Sequence, residues 1–247
     1  MSTLYTFTIS HFSEKARWGL EFAGVPFEEK VLLPGIHNFT TRRIAPRTSV
    51  PILKHDGAYI QGSGAILDYA EEKLGATGLA VPEGDRPKAK EWEARFDRAF
   101  GRGVQTIFYD ELLKEPRMVV DLWSQRGPSW APAFYGAVMP VLKQLVRRSY
   151  CPSPERVSRA HDEFRAAYDA ADDLLRGRQY LFGDRPTRAD ITLAALLAPA
   201  VRPPEHLVRW PEPPAALVTF ERELKDRPTW HFVERMYREH RGEPTAR

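Results

Sequence analysis

Strand-like patterning is confined to the first sixty-one residues of this chain, and that asymmetry constrains the fold more than any other feature. Leu4–Ile9 alternates β-branched and aromatic side chains, the mark of a short buried strand. Ser13 opens a helical stretch with Ala16, Leu20 and Ala23 on one face, and Gly24 and Pro26 stop it. Residues 27–33 supply a second strand. A strand, a helix and a strand within about thirty residues form a parallel pair with a right-handed crossover. Residues 34–48 are expected to be irregular, with at most a short helix. Val50–His55 reads as a third strand, Asp56-Gly57 as a hairpin turn and Ala58–Gln61 as the antiparallel return. Ser63 begins a helix carrying Ile66, Leu67, Ala70 and Leu74, ended by Gly75. The order is βαβ followed by ββα.

After a run of Gly and Pro breakers at 76–87, strand signals vanish. Trp92, Phe96, Phe100, Val104 and Ile107 recur at helical spacing, as do Val157, Phe164, Tyr168, Ala171 and Leu175. Residues 191–198 are apolar on every side, which predicts a central buried helix, and a last helix is expected from Pro228 to about His240. The expected division is an α/β domain at 1–78, a linker at 79–88 and an all-helical domain at 89–247.

Composition narrows the function. Of 247 residues 43% are hydrophobic, with 13 Phe, 9 Tyr and 6 Trp, enough for two compact cores and against general disorder. The longest apolar stretch, 191–201, is too short to span a bilayer, and no basic region precedes an apolar run near Met1. The chain is therefore expected to be cytoplasmic and without a membrane partner. The single cysteine, Cys151, excludes an internal disulfide framework and a cysteine-rich zinc site. The net charge of +3 arises from 36 basic and 33 acidic side chains mixed along the chain, without the one-sided basic face that a nucleic-acid surface requires.

Dinucleotide and P-loop glycine patterns, Gly-x-Ser-x-Gly and His-Glu-x-x-His are all missing, and no histidines stand at metal-ligand spacing. What remains is the turn Ser10-His11-Phe12-Ser13 between the first strand and the first helix. Unpaired N–H groups and the positive end of the helix dipole favour an anion there. A thiolate is such an anion, and a hydroxyl just before the helix stabilises it by hydrogen bonding. On local sequence alone, the plain alternative is that Ser13 caps the helix and Ser10 fills the turn.

Four stretches together resemble the glutathione transferase family: Ser10-His11-Phe12-Ser13-Glu14-Lys15-Ala16-Arg17, Ser49-Val50-Pro51-Ile52-Leu53, Gly62-Ser63-Gly64-Ala65-Ile66 and Thr187-Arg188-Ala189-Asp190. They lie in the family's order and span most of the chain. The resemblance implies a thioredoxin-like N-terminal domain followed by an all-α domain, with glutathione as cosubstrate. It places Ser10 where serine-type members keep the hydroxyl that activates the glutathione sulfur, with Ser13 as the alternative. It makes Val50-Pro51 the cis-proline turn that pairs with the peptide, and Ser63 the residue that holds the γ-glutamyl carboxylate.

Two positions depart from the family pattern. Gly62 stands where an acidic or amide side chain is common, and His11 where proline is frequent. Serine at both 10 and 13 excludes disulfide exchange through the turn, and Cys151, far from the turn in sequence, is the one thiol left for a reductase. The resemblance makes Thr187-x-x-Asp190 a folding element, a capping box, and not a catalytic one. It also implies a homodimer that joins glutathione to a small apolar electrophile. The alternative function is a binding protein on the same fold, without turnover. Phe96, Phe100, Tyr109, Trp123 and Trp130 are candidate linings for the electrophile, or core and interface residues.

Overall fold

The computed structural model describes residues 2–242. Strand β1 (Ser2–Thr6) runs parallel to β2 (Phe27–Val31) and antiparallel to β3 (Ile52–His55), while β4 (Ala58–Gln61) pairs with β3, giving the order β2-β1-β3-β4. Asp56 and Gly57 both take positive φ, 46° and 82°, which is the backbone a two-residue hairpin requires. Helix α1 (His11–Phe22) forms the crossover, α2 (Asn38–Ile44) is the short helix of the irregular stretch, and α3 (Ser63–Lys73) follows β4 and packs on α1.

Helix α1 begins two residues earlier than its apolar periodicity predicts. Ser10 is extended (φ −79°, ψ 112°) and its Oγ accepts the Ser13 N–H at 3.2 Å, so Ser10, not Ser13, is the cap.

Two 3-10 turns (Thr77–Leu79 and Glu83–Asp85) lead into α4 (Arg86–Phe96). Residues 86–88, expected as linker, are thus helical, because Pro87 sits in the first turn where its missing N–H costs nothing. A π-helical turn (Asp97–Arg102) runs without a break into α5 (Gly103–Leu112). Then come α6 (Pro116–Ser124), α7 (Ala131–Tyr150), α8 (Pro154–Leu175), α9 (Arg188–Val201), α10 (Ala215–Leu224) and α11 (Pro228–Met236), the last ending in a second π turn, Tyr237–Arg241. All fourteen residues of α9 are buried, and α1, α4 and α11 pack around it. At its start the Asp190 carboxylate accepts from the Thr187 N–H (2.8 Å), the Thr187 hydroxyl (2.7 Å) and the Leu181 N–H (2.7 Å), while burial lifts its pKa to about 6.

The apolar interior falls into two clusters. The larger joins the sheet face, α1, α3 and α9. The smaller lies beneath α6 and α7 and contains Leu122, Trp123, Tyr135, Met139 and Val146.

Charge is also buried. Glu14 on α1 is fully enclosed and receives Arg241 Nε at 2.6 Å and Arg17 Nη1 at 2.6 Å, while Arg17 Nε reaches Glu29 on β2 at 2.8 Å. Burial alone would raise the Glu14 pKa; Arg241, His206 and Arg17 instead hold it well below the usual carboxylate range. The Trp18 indole N–H donates to the His240 carbonyl at 3.1 Å, so the C-terminal π turn is fastened to α1 by both charge and neutral bonds.

Candidate active site

The β1–α1 turn forms one wall of a cleft of about 790 Å³. Ser10 lines it. The Ser10 Oγ receives the Ser13 N–H on one lone pair and keeps its proton to donate to a ligand, next to the positive end of a twelve-residue helix. Ser13 is placed differently. It is completely buried, its Oγ accepts the Phe7 N–H at 3.3 Å, and it is not part of the cleft wall.

His11, the first residue of α1, lines the cleft beside Ser10. Its Nε2 lies 2.9 Å from the Gly101 carbonyl, which can only accept, so Nε2 carries the hydrogen. Burial lowers its pKa to about 4, partly offset by the Gly101 bond and by Asp97, and the ring is neutral near pH 7. The α1 terminus meets the π turn with no room to spare: a Cβ on Gly101 would lie 2.3 Å from the Phe12 ring.

The second wall comes from β3, β4 and α3. The Val50-Pro51 peptide is cis. Val50 makes no backbone–backbone hydrogen bond among the described residues, so its N–H and C=O remain for an extended peptide. Gly62 caps α3 at φ 102°, and Ser63 is therefore the first helical residue and not the cap that its sequence position also allows. The Ser63 hydroxyl lines the cleft without a partner among the described residues, at a helix N-terminus suited to a carboxylate. Gln61, next to the side-chain-less Gly62, is committed elsewhere: its Nε2 donates to the Arg47 and Ser49 carbonyls, both at 2.7 Å.

The third wall is the α4–α5 rod. Asp97, Arg102 and Gln105 face the cleft, and Asp97 is held at 2.9 Å by the fully buried Lys15 of α1. Beyond them the lining becomes apolar: Phe108, Tyr109, Leu122, Trp123, Leu142 and Val146, with Tyr150 and Trp210. Of the aromatic residues named from sequence, Tyr109 and Trp123 reach this end. Phe96 and Phe100 are sealed in the main core, and Trp130 stands 52% exposed. Tyr150, Trp210, Asp97 and Arg102 were not anticipated, since no local spacing ties them to the first wall. Cys151 is buried, burial raises its pKa to about 11, and it is not part of the cleft wall.

A thioredoxin-like sheet with a hydroxyl-bearing turn, a cis-proline and a helix N-terminus on one cleft, closed by helices, defines a thiol-handling protein of two-part architecture. Residues 4–78 match the family model for the glutathione S-transferase N-terminal domain, and residues 154–220 match that for its C-terminal domain. The chain belongs to the glutathione S-transferase family. Glutathione S-transferase A1 of Homo sapiens is 24% identical over 196 residues, 78% of this chain and 71% of the relative. A glutathione S-transferase of Pseudomonas putida is 28% identical over 148 residues, 60% of this chain and 57% of the relative. Among solved structures, a glutathione S-transferase of Ceriporiopsis subvermispora in complex with glutathione shares the fold with a TM-score of 0.65 at 17% identity, covering 99% of both chains. The beta-etherase LigF of Sphingobium sp. strain SYK-6 shares it with a TM-score of 0.61 at 21% identity, covering 94% of this chain and 98% of that one. No helix among the described residues is long and apolar enough to cross a membrane.

Proposed function

We propose that this chain binds glutathione in the cleft and transfers its sulfur to a small apolar electrophile. The observation that carries the reading is that Ser10, the cis Val50-Pro51 turn and Ser63 line one cleft that continues into an apolar chamber. The donor set suits the tripeptide: the α3 N-terminus and Ser63 for a carboxylate, the unpaired Val50 backbone for the peptide, and the Ser10 hydroxyl for the sulfur. The glutathione thiol gives its proton to solvent, leaving a thiolate stabilised by the Ser10 O–H and the α1 dipole, each unit of pKa lowering corresponding to about 1.36 kcal/mol. The thiolate forms a C–S bond with the electrophilic carbon as the leaving group departs with its electron pair. Within this reading the chain is a cytoplasmic homodimer, with a glutathione-binding unit (1–78) and a helical unit that, with residues 86–88 in its first helix, follows a shorter linker than the 79–88 expected from sequence.

One observation favours the alternative, a binding protein without turnover. Gly62 contributes no side chain and the Gln61 amide is already engaged, so the γ-glutamyl end has fewer partners. Conjugation of 1-chloro-2,4-dinitrobenzene separates the two readings. In Ser10→Ala, kcat/KM is expected to fall about 100-fold, in line with loss of a donor to a developing or bound anion, with glutathione still bound. Glutathione binding to the wild-type chain without any conjugation would establish the alternative.

A further inference from the structure

Two long stretches, residues 30–55 and 122–154, contain none of the chain's 33 acidic side chains, yet they hold nine of its 36 Lys and Arg. Folding sets these stretches side by side. The Tyr135 hydroxyl of α7 donates to the Pro34 carbonyl at 2.8 Å, and a Cβ on Gly35 would meet the Leu142 side chain at 3.6 Å. Helices α2 and α7 thus flank the cleft, whose wall includes Asn38 and Arg47 on one side and Leu145 on the other.

The outward surface of this pair is apolar as well as basic. Of the five large hydrophobic side chains that stand exposed among the described residues, four belong to it: Phe39 (72% exposed), Trp130, Val141 and Leu145. On α7, Trp130, Val141, Leu145 and Arg148 follow one another at eleven, four and three residues, which keeps them on one side of the helix. The buried Tyr135 and Met139 take the other side. On α2, Arg43 reaches back to the Phe39 carbonyl at 3.0 Å and shares its side. Arg42, Arg43, Arg147 and Arg148 are all exposed, and none forms an ion pair among the described residues.

Exposed apolar side chains forgo the free energy of burial, and a patch of them rimmed by one sign of charge marks a contact surface. The charge pattern selects the occupant. A second copy of the chain would set arginines against arginines. A nucleic acid calls for basic residues interleaved with stacking aromatics, whereas here Trp130, Val141 and Leu145 form an apolar ridge with the α7 arginines gathered at one end. A fluid, negatively charged interface accepts such a ridge without a matching socket, and meets the arginines with opposite charge.

We propose that α2 and α7 dock this protein on the surface of an anionic lipid bilayer. Phe39 and the α7 ridge enter the boundary between headgroups and acyl chains, and the four arginines pair with the anionic headgroups. The expectation of no membrane partner rested on the lack of a spanning apolar run, which surface docking does not need. The cleft then lies beside the lipid, within reach of apolar electrophiles dissolved there; this consequence rests on the conjugation reading, whereas the docking does not.

Flotation of the full chain with lipid vesicles tests the docking. Binding is expected to vesicles of phosphatidylcholine and phosphatidylglycerol in equal parts, weakening as salt is raised, and to be far weaker with phosphatidylcholine alone. Arg147→Gln combined with Arg148→Gln should weaken it about 25-fold, about fivefold for each cation near the surface. Val141→Asp and Phe39→Ser should each weaken it about tenfold, while Arg222→Gln, exposed on α10, should leave it unchanged. None of these positions lines the cleft, so conjugation of 1-chloro-2,4-dinitrobenzene without lipid should be the same in all of them. Its failure in the wild type would strike the conjugation reading and leave the docking standing. No flotation with the mixed vesicles, equal flotation with phosphatidylcholine alone, or equal loss in Arg222→Gln overturns the proposal. So does self-association or retention on DNA that the same variants abolish while no flotation is seen, which would assign the face to a second copy or to a nucleic acid.

Discussion

At the Ser10 end of the cleft the ligand-facing groups are caps and backbone drawn from three turns within the first sixty-three residues. At the Trp210 end they are side-chain rings contributed by α5, α6, α7 and the segment before α10. The first arrangement depends on local features of the chain: a serine cap before a helix, a cis X-Pro bond, a glycine at φ 102°. The second depends on which large side chains meet across distant helices, and many sequences satisfy that equally well. One end is thus suited to a fixed cosubstrate, the other to variation in the second substrate.

Perturbations that reach one end and spare the other sharpen this contrast. The largest effect is expected from Glu14→Gln, which leaves Arg17 and Arg241 buried without their shared counter-charge. Stability should fall by about 3–5 kcal/mol in denaturant titration, and the Ser10 end, carried on α1, should lose glutathione affinity before the apolar chamber loses affinity for the second substrate. A native-like midpoint in Glu14→Gln would mean that the buried cluster contributes little. Next comes Gly101→Ala, whose methyl group overlaps the Phe12 ring. A loss of up to about 3 kcal/mol is expected from overpacking, with KM for glutathione rising more than that for the electrophile. Equal shifts in both would dissolve the contrast.

Acid should act through buried histidines at both ends, His11 beside Ser10 and His206 against the Trp210 ring. His11 and His206 both have their pKa lowered to about 4 by burial, against 6.5 when exposed. Between those values the unfolded chain binds the extra proton, so stability falls as pH falls. For each histidine the loss between pH 7 and 5 is about 2 kcal/mol. His11→Gln should therefore lose about 2 kcal/mol less than the wild type over that interval, as read from urea midpoints; an unchanged loss would mean that the ring is not held neutral. The Tyr109 and Tyr150 phenols have raised pKa values, so their contribution weakens only as pH rises past the ordinary phenol range. The smallest effect belongs to Ser13→Ala, where one buried hydrogen bond to the Phe7 N–H is lost. About 1 kcal/mol of stability and little turnover should go with it, and a turnover loss matching that of Ser10→Ala would shift the sulfur-activating role to Ser13.

The same contrast explains what could be read from sequence. The strand–helix–strand order, the Asp56-Gly57 hairpin and the all-round apolar 191–198 segment are local patterns, and each has its counterpart in the structure. The start of α1 was misplaced because periodicity reports the buried face, whereas the cap is set by backbone geometry at Ser10. Helices α6, α7 and α10 went unseen. In α7, Pro140 interrupts the pattern, and Val141 and Leu145, 65% and 52% exposed, mix apolar side chains into its outer side. Ser10, Val50, Pro51 and Ser63 were legible because each sits at a punctuation point of the chain. Tyr150 and Trp210 were not, because each reaches the cleft only through the packing of the smaller apolar cluster.

The bond between Glu14 and Arg241 has a consequence for how the molecule is made. The carboxylate leaves the ribosome 227 residues ahead of the guanidinium that neutralises it. Until Arg241 has been made, Glu14 has from its own helix only Arg17, which it shares with Glu29. The N-terminal wall of the cleft should accordingly reach its final form only after the segment carrying Arg241 has been made.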